Sequence, residues 1–313
     1  MLLEIKSLTK TYGKFTALDG VTLSIAAGER VALLGANGSG KTTTVRSICR
    51  LLEWEGGDIY FEGQPIRGRK QYLAEIGAVL EGSRDLNWRL SAKQNALYFS
   101  GIRGVSDRKA LPIIDSLMDR LGLSQYGSRI VARLSTGNRQ KTALLCALVH
   151  QPKLLMLDEP TLGLDLQTMD ELERVLLEIQ HEGNQAMLIT SHDLGFIDKV
   201  CTRVVLIDKG RVLFDGGIKD LRETLFQYEL VLTVEEASVA AVASKIACLF
   251  DGEATRAELN GAKLVVQYNA PDAVMGLLAW LEASAMHVLD MTIMPLSLEK
   301  AYKKLLASEG LRA

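Results

Sequence analysis

GANGSGKTT, residues 35–43, follows the apolar run RVALL at 30–34 and precedes a helical pattern, TTTVRSICRLL from Thr42. It satisfies the spacing G-x-x-x-x-G-K-[ST] in full. Gly35, Gly38 and Gly40 permit a tight loop, so that backbone N–H groups, with Ala36, Asn37 and Ser39 between the glycines, converge on phosphate oxygens at the positive end of the next helix. Lys41 then reaches toward terminal phosphates. Thr42, followed by Thr43, offers a hydroxyl that ligates Mg2+, the ion that bridges phosphate oxygens and neutralises charge in phosphoryl transfer. A chance glycine-rich turn is the alternative, and the strand-loop-helix context weighs against it.

Outward from this loop, LLMLDEPT at 154–161 reads as a second buried strand that delivers Asp158 at its end, near the cation, with Glu159 beside it as the candidate general base for water. A pair of acids at a strand end is weak by itself and gains its meaning from the complete phosphate loop. His192 in ITSHD follows another apolar strand, where an imidazole can hydrogen-bond a terminal phosphate and hold the water or Glu159 in line. His150, His181 and His287 lack such surroundings and are expected to be ordinary core or surface histidines.

The ordered set GANGSGKT, LSTGNRQK at 134–141, LLMLDEPT, GLD at 163–165 and ITSH at 189–192 resembles an ATP-binding-cassette (ABC) nucleotide-binding domain, over residues 1 to about 220. The resemblance implies an ATP- and Mg2+-dependent ATPase that forms a head-to-tail homodimer, each nucleotide lying between the phosphate loop of one copy and the LSTG signature of the other. Ser135 and the Gly137 backbone would contact the terminal phosphate across that interface. Tyr12 matches the ring that stacks on adenine, with an ordinary loop aromatic as its alternative, and Asp165 matches a residue that communicates between the two sites.

The pattern departs in places. Glu81 stands where the family commonly has Gln; it keeps an oxygen toward Mg2+ or the water but adds charge, and a surface acid is its plain alternative. Thr136 and Asn138 replace a glycine and a glutamine of the familiar LSGGQ, and Lys141 replaces a frequent arginine. These changes bear on turnover rate more than on ATP binding.

The chain has 313 residues, 48% hydrophobic and 24% charged, with a formal net charge of −2, which describes a globular protein with no bulk electrostatic reason to bind nucleic acid. Cys49, Cys146, Cys201 and Cys248 are widely spaced and read as buried small hydrophobes. No run is apolar enough to span a bilayer easily, so the expected place is cytoplasmic, held at the membrane through a partner.

The fold expected is α/β. A phosphate-loop NTPase domain of ABC type at 1–221, with a helical subdomain at about 90–150, precedes a small α+β domain at 222–313. In that tail, strands at 229–234, 254–258, 263–268 and 288–293 alternate with helices at 236–250 and 271–284, a β-α-β-β-α-β order of ferredoxin-like type. A last helix is expected from Ser297. The tail and its ending PLSLEKAYKKLL (295–306) resemble the C-terminal extension of ATP-binding subunits in ABC-2 type multidrug and antibiotic exporters, which implies a separate multispanning permease docked at the region after Glu81, around 85–89. A soluble ABC ATPase on a ribosomal or nucleic-acid assembly and a non-transport regulatory module are the other classes.

Overall fold

A continuous apolar strand needs cover on both faces, and the RVALL run obtains it inside a six-stranded sheet. The structure is a computed structural model that describes residues 1–80, 86–183, 185–225, 228–249, 256–260, 262–268, 271–284, 286–295, 297–298 and 300. It divides into two units, Met1–Gly217 and Ile218–Ala313.

In the first unit, β1 (Leu3–Tyr12) and β2 (Phe15–Ile25) make a hairpin, and β3 (Arg30–Leu34) leads through the glycine loop into α1 (Lys41–Ile48). β4 (Gly56–Phe61) and β5 (Gln64–Pro65) complete an antiparallel sheet of order β2-β1-β4-β5. β6 (Ile76–Val79) precedes three helices, α2 (Ala92–Ile102), α3 (Asp107–Arg120) and α4 (Thr136–Leu148). Then β7 (Leu154–Asp158), α5 (Leu166–Gly183), β8 (Ala186–Thr190), α6 (Leu194–Val200), β9 (Arg203–Asp208) and β10 (Arg211–Gly217) follow. The large sheet has the order β10-β9-β3-β8-β7-β6, parallel from β9 to β6, with β10 antiparallel at its edge.

One apolar core joins the two sheets: Leu3, Ile5 and Ile59 of the antiparallel sheet pack in the same cluster as Val31, Leu33, Met156 and Leu188 of the parallel one. Helix starts are written locally. Ser91 and Gln94 form a capping box on α2, and the Ser135 hydroxyl caps α4 by accepting from Asn138 N at 3.3 Å.

Tyr12 is not in a polar loop. The strand runs on to Tyr12, which pairs with Phe15 across a two-residue turn whose Gly13 takes φ 60°. Among the described residues no cysteine is in a disulfide, but Cys248 is exposed rather than buried and Cys49 is half-buried; α8 (Val239–Leu249) turns the Cys248 position outward. Among the described residues no helix is long and apolar enough to cross a membrane.

The second unit holds α7 (Ile218–Leu225), β11 (Tyr228–Val234), α8 (Val239–Leu249), β12 (Arg256–Asn260), β13 (Lys263–Tyr268), α9 (Pro271–Ala283) and β14 (Val288–Pro295). Its sheet is antiparallel in the order β12-β13-β11-β14, the strand order of a β-α-β-β-α-β unit with its first and third strands central. α8 and α9 bury Val242, Ile246 and Leu277 against Leu230, Leu232 and Val266. Within this sheet Glu229 is buried, and its carboxylate accepts from Lys300 Nζ at 2.5 and 2.7 Å and from Gln267 Nε2 at 3.1 Å. The expected strand at 254–258 is seen as β12 at 256–260, and the expected helix from Ser297 falls mostly outside the described residues.

Candidate functional site

Three strand ends and one helix start converge on the glycine loop. β3, almost wholly buried, delivers Gly35, where an added Cβ would run into the Ile207 carbonyl and the Ser39 hydroxyl. Gly40 caps α1 at φ 114°, a backbone conformation open to glycine, and a Cβ there would stand 2.8 Å from the Ala17 carbonyl oxygen. Main-chain bonds tie the loop from behind: Gly210 N donates to Ser39 O at 2.9 Å, and Asp19 N donates to Gly210 O at 2.8 Å.

Lys41 is 7% exposed. Its ammonium donates to the carbonyls of Gly35 at 2.7 Å and Ala36 at 3.1 Å, at the mouth of the loop. Burial pulls its pKa below the ordinary lysine value, and the nearby charges of Glu159 and Asp158 oppose that shift.

Asp158 ends β7 at 2% exposure, in register with Thr190 at the end of β8. Its Oδ1 accepts from the Thr190 hydroxyl at 2.6 Å, whereas Oδ2 is buried with no partner among the described residues. Glu159 follows with φ 53°, a conformation that costs a non-glycine residue free energy. Its N–H donates to Thr190 O and Oγ1, each at 3.1 Å. Its Oε2 accepts from His192 N at 3.1 Å, and Oε1 lies 3.3 Å from His192 Nε2 without hydrogen-bond geometry, which leaves it without a hydrogen-bond partner among the described residues.

Glu159 and His192 share one cleft, of about 330 Å3, with Tyr12, Asn37, Gly38, Gly40, Lys41, Thr42 and Thr43; Phe15, Ala17 and Leu162 complete its wall. Tyr12 and Phe15 are exposed aromatic rings on the rim, and the Lys10 ammonium stands 5.3 Å over the Tyr12 ring, held there by Glu55 at 2.7 Å. Phe15 and Leu162 were not singled out in the sequence. For Phe15 the signal was available: an aromatic residue three places after Tyr12 across a glycine turn.

Ser135, Gly137 and Asp165 are not among the residues lining that cleft. They form a second group. Ser135 caps α4, and Asp165 Oδ1 accepts from Thr168 N at 2.8 Å at the start of α5, a hydrogen bond that holds the Asp165 carboxyl below the usual range. Gly137 leaves room for the Thr168 side chain, whose methyl would stand 2.8 Å from a Cβ at 137. Lys141 is buried and pairs with Glu171, which binds α4 to α5 a turn further on. Glu81 lies outside the described residues, as do 82–85 of the expected permease contact.

The donor set suits one kind of metal. Asp158 Oδ2 is an orphaned carboxylate oxygen, Thr42 lines the adjoining cleft, and among the described residues no three or more His, Cys, Asp or Glu side chains cluster to cage an ion. Few protein oxygens beside a phosphate cradle fit Mg2+, which keeps waters and takes further ligands from the substrate. His150 sets its Nε2 on Ile76 O at 3.0 Å, and burial lowers its pKa; it has a packing task away from the cleft. The His181 side chain is outside the described residues.

A sequence profile described as ABC transporter matches residues 18–162. The lantibiotic transport ATP-binding protein SrtF of Streptococcus pyogenes is 33% identical over 74% of this chain and 98% of its own length. The phosphonates import ATP-binding protein PhnC of Treponema denticola is 30% identical over 75% of this chain and 96% of its own. Among solved structures, an ATP-binding subunit of an ABC transporter superposes with TM-score 0.66 and 29% identity, over 72% of this chain and 93% of that one.

Proposed function

We propose, from the premise that this chain belongs to the ABC transporter family as an ATP-binding subunit, that it is the Mg2+-dependent ATPase of an ABC-2 type exporter. The observation that carries the chemistry is the convergence of Lys41, Glu159 and His192 on one cleft beside the buried Asp158. Backbone N–H groups of the glycine loop and the Lys41 ammonium hold the phosphates of ATP. Tyr12 stacks on the adenine.

Asp158 Oδ2 and the Thr42 hydroxyl would hold Mg2+, which when bound would neutralise charge on the terminal phosphates. Glu159 Oε1 takes the proton of the attacking water, since Oε2 is already held by the His192 N–H. His192 keeps Glu159 and the terminal phosphate in line. Glu81 is assigned the place of the coupling residue between this chemistry and the partner.

Ser135, Gly137 and Asp165 stand apart from the cleft in their own chain. They are assigned to the nucleotide of a second copy, in a head-to-tail homodimer whose closure ATP favours and whose opening follows hydrolysis. The work is passed to a separate multispanning permease, which places the chain at the cytoplasmic face of the membrane without direct contact to nucleic acid. The export reading is supported by the β-α-β-β-α-β unit that follows the cassette; the likeness to SrtF, a lantibiotic transport protein, supports transport without direction, and the likeness to PhnC, an import protein, is the reason to test direction.

The test is native purification from gently solubilised membranes, wild type against Glu159→Gln in ATP. The expected result is a stoichiometric multispanning permease, retained more firmly by Glu159→Gln. Vesicles holding that complex should lose cargo from the side that carries the ATPase. Ribosomes or a soluble assembly in place of a permease would sink the transport reading, and uptake with a substrate-binding protein would sink the export reading.

A further inference from the structure

We propose that Thr190 is a positioning residue for both acids of the site, and that its hydroxyl selects which oxygen of Asp158 is presented to the metal. The inference rests on the reading above, in which Asp158 holds Mg2+. Thr190 is fully buried at the end of β8, directly across from Asp158 in the parallel ladder. A hydroxyl has one hydrogen to donate, and Thr190 gives it to Asp158 Oδ1 at 2.6 Å, a short charge-assisted bond. That fixes the carboxylate about its last torsion. Oδ1 is engaged and Oδ2 is left as the oxygen with no partner among the described residues.

The same oxygen of Thr190 accepts from the Glu159 N–H at 3.1 Å, and the Thr190 carbonyl accepts from that N–H as well. Glu159 is thereby held at φ 53°, the bend that carries its carboxylate to the His192 N–H. One side chain therefore sets the metal ligand and the general base together. Beside it, the hydroxyls of Thr161 and Ser191 meet at 3.0 Å, and Ser191 Oγ accepts from Asp193 N at 3.0 Å, so the chain leaving β7 is clasped to the chain leaving β8 a second time. Outer-shell partners of this kind tune metal affinity about 10- to 100-fold.

Valine keeps the volume and β-branching of threonine and deletes only the hydroxyl. The experiment is binding of Mn2+, as a paramagnetic probe, to the full chain carrying Glu159→Gln in saturating ATP. Metal-free ATP affinity in a chelator and Tm are measured on the same samples. Thr190→Val should weaken Mn2+ binding about 10-fold and leave metal-free ATP affinity unchanged, and Thr190→Ser should restore Mn2+ binding to within about 3-fold.

If Thr190→Val does not fold, Thr190→Cys, whose thiol is a weak donor, takes its place against Thr190→Ser with the same expectation. Mn2+ affinity equal to that of the parent in the Val or Cys variant would overturn the proposal, as would a deficit that Ser does not repair at normal Tm. Absence of any ATP-dependent Mn2+ binding in the Thr190 parent would overturn the Mg2+ reading itself.

Discussion

Tyr12 presents one face of its ring to the Lys10 ammonium, which Glu55 holds in place, so the opposite face is the one left for a base. Stacking of a base on an aromatic side chain contributes about 1–3 kcal/mol. Tyr12→Ala is therefore expected to raise KM for ATP about 10-fold or more with kcat little changed, and Tyr12→Phe to retain wild-type values, as measured by steady-state ATPase assays.

Lys41 gives a pH prediction. Its folded pKa is below 10.5, so burying the ammonium disfavours the charged form. A lysine lowered on folding costs stability while it is protonated, and that cost relaxes as pH rises through the folded pKa. Phosphate needs the charge. From neutral pH upward, ATP affinity should therefore begin to fall below pH 10.5, while the nucleotide-free chain gains stability relative to Lys41→Met. Titration calorimetry and thermal melts across that range check both signs.

Lys41, Thr42, Asp158, Glu159 and His192 were legible as a group because each sits in a short string with few other meanings. Thr190 was not. In AMLIT it is one more β-branched residue of a buried strand, and its hydroxyl gains a purpose only when β8 is set in register with β7.

At the scale of elements, α1 starts where glycine alone permits it. Gly40→Ala would force a Cβ into the left-handed region at φ 114° and against the Ala17 carbonyl. The expected result is a loss of about 1–3 kcal/mol in stability together with ATP binding, seen in denaturant melts and nucleotide titration. Gly38→Ala, which meets no atom within 4 Å, should be milder even at φ 80°.

Four of the five parallel strands were readable from RVALL, LLML, AMLI and VVLI, since runs buried on both faces leave no alternation to mistake, whereas β6 is only the short run IGAV. β4 was not, because Gly56 and Gly57 open it; Gly57 takes φ 74° where a Cβ would strike the carbonyls of Lys6 and Ser7. The extension of β1 to Tyr12 was hidden in the same way, by polar residues whose pairing with β2 decides their structure.

At the scale of the whole molecule, each unit owns an apolar cluster, one around Val31 and Met156 and one around Leu230 and Val266. A chain ending at residue 225 is expected to fold and to bind ATP with unchanged affinity, and the full chain to show two transitions in scanning calorimetry, of which ATP raises only one. A truncated chain that fails to bind ATP would refute that independence. The order of strands and helices in the tail was legible from spacing, and its ferredoxin-like type implied a central first strand, as β11 is; the register was not legible, since it is a property of pairing between residues as distant as Leu230 and Ile293.

The two main-chain bonds of Gly210 carry a consequence for the life of the polypeptide. β3, made within the first 34 residues, has both its neighbours, β8 and β9, far along the chain: Arg30 pairs with Met187 and Val31 with Arg203. The loop that follows β3 is then fastened by Gly210, later still. A nascent chain is thus expected to carry its glycine loop with neither flanking strand nor backstop until Arg203 and Gly210 have been made, so that the competence to hold a nucleotide arrives late and nearly at once.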